Sequence, residues 1–64
     1  MNQASNIAHG LLVLSKFDEY VYADHDIIIA GPEKQKGMSY ENRALVESFG
    51  WVYDSFYEKY VYSV

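Results

Sequence analysis

Ser39-Tyr40-Glu41-Asn42-Arg43-Ala44-Leu45-Val46-Glu47-Ser48-Phe49-Gly50, running directly into Trp51-Val52-Tyr53, is the stretch that decides the fold. Ser39 is a preferred helix N-cap, because its hydroxyl accepts from amides that the first turn leaves unpaired. Glu41 falls in the first turn, where the helix dipole favours an acid. A capping box would set Glu or Gln at position 42, and Asn42 is a weaker substitute. Leu45, Val46 and Phe49 line one side, and Gly50 stands where a left-handed C-terminal cap belongs. These start and stop signals agree on a helix over 39–49 and a change of element at Gly50.

Downstream, a β-hairpin is expected. Trp51-Val52-Tyr53 makes its first arm, with a turn at about Asp54-Ser55-Phe56-Tyr57. From Lys59 to Val64 the side chains alternate, with Tyr60, Tyr62 and Val64 on one face and Lys59, Val61 and Ser63 on the other. Upstream, Gly31 to Gly37 reads as a solvated polar linker carrying Lys34 and Lys36. Before it, Ile27-Ile28-Ile29 is a β-branched run closed by Ala30-Gly31-Pro32, the pattern of a short buried strand. The first segment, 5–17, sets Ile7, Leu11 and Leu14 on one helical stripe, with Asn2 or Ser5 as its cap. Gly10 in its middle costs about 1 kcal/mol relative to Ala, and is expected to admit close approach by another element.

The order is helix, strand, helix, strand, strand. It predicts one α+β domain over 1–64, with a three-stranded, mainly antiparallel sheet and both helices on one face. The other face is expected to carry tyrosines and charges.

The chain has 64 residues, no Cys, and nine Asp and Glu against five Lys and Arg, for a net charge of -4. Disulfides and Cys-based zinc sites are therefore excluded, and so small a core supplies only a few kcal/mol of net stability. Seven Tyr stand beside three Phe and one Trp, so tyrosine must fill much of the core. The acidic balance opposes direct nucleic-acid binding through phosphates, and suits basic surfaces on other proteins. The first residues lack the charged start of a signal peptide, and Leu11 to Leu14 is far too short to span a membrane, so a cytoplasmic setting without membrane contact is expected.

No catalytic constellation emerges. Ser, His and acid residues occur without a strand-Ser-helix elbow, and the glycines around Lys34 and Lys36 lack Walker spacing. Asp24-His25-Asp26 holds three potential metal ligands. On extended chain His25 points away from its neighbours, while Asp24 and Asp26 share a face about 6.6 Å apart, so a backbone-capping role is favoured over a metal site. Four of the nine acids, Asp18, Glu19, Asp24 and Asp26, fall in a stretch without Lys or Arg, and Asp54 and Glu58 flank the hairpin turn. Acids beside tyrosine fit a protein interface, since Tyr covers area at little entropic cost.

His25-Asp26 before a short strand, Ser39-Tyr40-Glu41 at a helix start, Gly50-Trp51 with Asp54, and the aromatic end Tyr60 to Val64 occur together in the second half of the chain. In these features the sequence resembles small acidic proteins of phages and mobile elements, and is similar to anti-CRISPR proteins. Ile27, Ser55 and Phe56 depart from that group, which often carries acids there. The resemblance implies a non-enzymatic, cofactor-free inhibitor acting in the host cytoplasm, with a CRISPR effector subunit as partner and type I effectors the first to test. The expected mechanism is occlusion of a basic DNA-binding site. Asp18, Glu19, Asp24, Asp26, Asp54 and Glu58 would be its acidic contacts and Tyr57 its aromatic anchor, in a monomer or a homodimer. The alternative is a phage accessory protein acting through homodimerisation.

Overall fold

Two β-hairpins, not one, build the sheet. The computed structural model describes residues 2–64. Helix α1 spans Gln3–Leu14, strands β1 and β2 span Val21–Asp24 and Ile27–Ala30, helix α2 spans Tyr40–Ser48, and β3 and β4 span Val52–Asp54 and Lys59–Ser63. The sheet is antiparallel throughout in the order β1-β2-β4-β3. The α+β class therefore holds, but the expected three strands become four. The extra strand is β1, which lies inside the stretch read through its acids. Tyr20-Val21-Tyr22 supplies the β-forming residues, and His25-Asp26 is a tight turn with His25 at φ 48°.

Helix α2 begins as its sequence dictates. The Asn42 amide donates to Ser39 Oγ (3.1 Å), and the Asn42 side chain closes the box on the Ser39 amide. Gly50 follows the C-cap Phe49 at φ 93°, a backbone region that other residues enter only with strain. Helix α1 starts two residues and stops three residues earlier than the expected 5–17. Asn2 is its N-cap, its Oδ1 accepting from the Ser5 amide at 2.8 Å.

The core lies between the helices and one face of the sheet. Val46, Trp51, Tyr60 and Leu14 are all at most 1% exposed, with Ala30, Met38 and Tyr62 packed against them. Burying each of these larger side chains contributes roughly 1.5–3 kcal/mol. Gly10 has the role its position suggested. A Cβ there would collide with the indole ring of Trp51, whose Nε1 donates to the Asn6 carbonyl at 3.1 Å. Trp51 also packs obliquely on Tyr62, with ring centroids 5.5 Å apart.

The 31–37 segment is more than a solvated linker. It contains a short 3-10 turn, Glu33–Gln35, with Lys34 and Gln35 at positive φ. The Lys34 amide donates to the Glu58 carbonyl (2.8 Å), and Gln35 Nε2 donates to the Tyr60 hydroxyl (2.9 Å). These bonds tie the segment to β4 and to the turn that precedes it.

Candidate functional site

Register assigns every strand residue to a face. Ile28 pairs with Tyr62 and Ala30 with Tyr60, and Tyr60 pairs with Tyr53, so these residues face the helices. The opposite face carries Tyr22, Ile29, Val61 and Val52, which stand side by side in one row across all four strands. Ile29 is only 3% exposed yet lies outside the helix-side core cluster, whereas Tyr22 and Val52 are 51% and 65% exposed. Neither helix covers this second face. An open groove of about 450 Å³ lies on its β3–β4 side, lined by Gly50, Val52, Asp54, Val61, Tyr62 and Ser63.

The expected acidic contacts do not form one cluster. Asp24 pairs with Ile27 and Ile27 with Ser63, while Asp54 pairs with Lys59 at the far end of β4. Asp24 and Asp54 thus share the open face at diagonally opposite corners. Three strand spacings and four residues of rise separate them by about 20 Å. Asp26 lies in the β1–β2 turn and not beside Asp24 on one strand face, because the chain reverses between them. Asp18 and Glu19 precede β1, on the end of the sheet that also holds the 55–58 turn.

These acids also differ in what already holds them. Asp54 Oδ1 accepts from the amides of Phe56 (2.8 Å) and Tyr57 (3.1 Å), and its carbonyl accepts from the Glu58 amide (2.7 Å), so it organises the β3–β4 turn. Asp18 Oδ1 accepts from the Tyr20 amide at 2.8 Å and bends the chain into β1. Glu58, at φ 58°, approaches Lys34 at 3.7 Å. Asp24 has only a loose approach to the exposed His25 ring, at 3.9 Å. The Asp26 carbonyl accepts from the Val64 amide (2.7 Å), and the residue is exposed in the β1–β2 turn.

Tyr57, the expected aromatic anchor, stacks edge-on with Phe56 at 5.1 Å. Phe56 is 85% exposed, the most exposed large apolar side chain among the described residues. One cation sits on the open face: Lys59 Nζ lies 4.5 Å above the Tyr20 ring and donates to the Gly31 carbonyl at 2.9 Å. On the helix side, the Tyr60 hydroxyl contacts Glu47 Oε2 at 3.4 Å. Burial is the main cause that holds the Tyr60 phenol above its ordinary pKa; the Gln35 hydrogen bond opposes it, and the nearby Glu47 carboxylate adds to the rise.

Among the described residues, no group of three His, Asp or Glu side chains is placed to hold a metal ion, and no helix is long and apolar enough to cross a membrane. What the site offers is a surface: an apolar row with acids at three of its corners. No family model, curated protein or solved structure matches the chain.

Proposed function

We propose that the protein is a phage-type inhibitor that binds a basic protein surface, namely the DNA-binding site of a CRISPR effector complex, and occludes it in the host cytoplasm. The observation that carries this reading is the helix-free sheet face, where Tyr22, Ile29, Val61 and Val52 form an apolar row with acids at its corners. Apolar contact area framed by charge is how protein interfaces combine affinity with orientation. The acids would meet Lys and Arg that otherwise hold phosphates. The resemblance of the second half to anti-CRISPR proteins supplies the class of target.

Within this proposal, the acids least held by the fold act directly. Of the expected acidic contacts, Asp18 and Asp54 are the two whose carboxylates accept backbone hydrogen bonds, while Asp24 and Glu58 have only the loose approaches to His25 and Lys34. Phe56 and Tyr57 extend an exposed aromatic pair from the β3–β4 end. Asp18 and Asp54 contribute field from positions that their turn bonds already fix.

The test is a DNA-binding assay on purified type I effector complexes. The protein is expected to displace DNA at low salt and to lose this effect as salt screens the contact. Double substitution Asp24→Lys with Asp26→Lys is expected to abolish the displacement while the melting temperature is unchanged. Displacement by the double variant at wild-type concentrations would remove the β1–β2 acids from the contact.

A further inference from the structure

The edge strand β1 presents an open backbone. The Gly31 amide donates to the Tyr20 carbonyl (3.4 Å), which fixes the phase of the β1–β2 ladder. Antiparallel pairing alternates, so Tyr22 and Asp24 also turn their backbone groups toward β2, while Val21 and Ala23 turn theirs outward. All four β1 residues are exposed. Natural edge strands are commonly blunted by Pro, Lys or a bulge, and β1 has none of these. The other edge, β3, has only three residues and is closed off by the Asp54 turn.

We propose that β1 receives an extended, basic segment of the partner as an added antiparallel strand. This proposal rests on the reading above and names where the partner's chain would lie. Charge selects the occupant. Asp18 and Glu19 precede β1, Asp24 and Asp26 end it, and no Lys or Arg occurs between Lys16 and Lys34. A second copy is disfavoured. Two antiparallel copies of β1 would bring Asp18 and Glu19 of each to the Asp24–Asp26 end of the other, and like charges so juxtaposed destabilise a strand pair.

A segment alternating Lys with Val fits both sides of the edge. Its valines would lie beside Val21 and Ala23. Its lysines would lie on the open face beside Asp24 and the rings of Tyr20 and Tyr22, as Lys59 already does over Tyr20. Only the valine amides would then point at β1. Such main-chain pairing supplies affinity, and the alternate side chains supply selectivity.

The probe is an octapeptide of alternating Lys and Val, titrated into isotopically labelled protein at low salt. The Val21 and Ala23 amides are expected to shift on binding, and their hydrogen exchange to slow. Methylating the peptide's valine nitrogens is expected to weaken binding about tenfold or more, because each methyl removes a donor aimed at β1, whereas methylating the lysine nitrogens leaves it near its original value. In the protein, Ala23→Pro removes one outward donor without touching the β1–β2 ladder, and is expected to weaken binding by a similar factor with Trp51 fluorescence unchanged. Equal binding of both methylated peptides would overturn strand addition and leave a charge-only acidic surface standing. Shifts confined to Val52, Val61 and Phe56 would place the peptide on the sheet face and also overturn it. Absence of binding by the unmodified peptide would overturn it too, while the effector assay decides the occlusion reading separately.

Discussion

The two hairpins of this sheet share a design and differ in how they are held. Each ends its first strand on an Asp and reverses through a residue at positive φ, His25 in one and Glu58 in the other. The β3–β4 hairpin is held through its core face and its turn. Tyr60 and Tyr62 enter the core, Asp54 bonds two turn amides, and the 3-10 turn grips Glu58 and Tyr60. The β1–β2 hairpin is anchored through β2 alone, and β1 is exposed throughout. Acids of the same chemistry are therefore held differently: Asp54 organises its turn through two amides, whereas Asp24 has only a loose approach to His25 and Asp26 sits exposed in its turn.

The sharpest way to break that contrast is to truncate one aromatic on each side. Trp51→Ala is expected to cost about 3–5 kcal/mol, which equals or exceeds the net stability of so small a domain, so the variant should be largely unfolded by circular dichroism. Tyr22→Ala, on the exposed hairpin, should stay folded and lose less than about 1 kcal/mol in a denaturant titration. Gly10→Ala comes next. In an exposed helix this change stabilises by about 1 kcal/mol, but here the new methyl meets the Trp51 ring at an overpacking cost of roughly 1–3 kcal/mol, leaving a net loss of up to about 2 kcal/mol. A stabilised Gly10→Ala would mean that Trp51 packs elsewhere.

Asp54→Ala is expected to cost about 1 kcal/mol through its two lost turn bonds, whereas Asp24→Ala should change stability by less than about 0.5 kcal/mol. Equal losses would erase the distinction between the hairpins. The smallest effect concerns alkaline pH. Tyr60 holds its proton more tightly folded than unfolded, so its contribution is fully present below the unfolded pKa near 10.0 and is lost as pH rises through the higher folded value. Tyr60→Phe should remove this component, giving a flatter stability profile above pH 10 than the wild type shows.

The same contrast explains what was legible in the sequence. Capping residues and turn glycines announce the α2 start and the Gly50 stop, and the alternation of 59–64 announces β4 and its buried Tyr60 and Tyr62. Strand β1 was hidden because acids flank it on both sides and all four of its residues are exposed, so no buried period marks it. The three-stranded expectation failed on that point. The dispersal of the acids over separate corners could not be read either. It follows from the β1-β2-β4-β3 order, which puts the two hairpin turns at opposite ends of the sheet. Phe56 escaped notice because a turn position alone does not reveal that a ring is exposed there.

Occlusion of a basic DNA-binding site by the acids beside the open sheet face is the proposal on which the functional reading rests. Its most direct test is DNA binding by a purified type I effector complex in the presence of this protein or its Asp24→Lys, Asp26→Lys variant, with the melting temperature of each measured alongside. The account predicts that the protein abolishes DNA binding at low salt, and that the variant melts at the same temperature but leaves DNA bound. DNA binding that survives saturating protein, or inhibition that survives the double substitution, would contradict it.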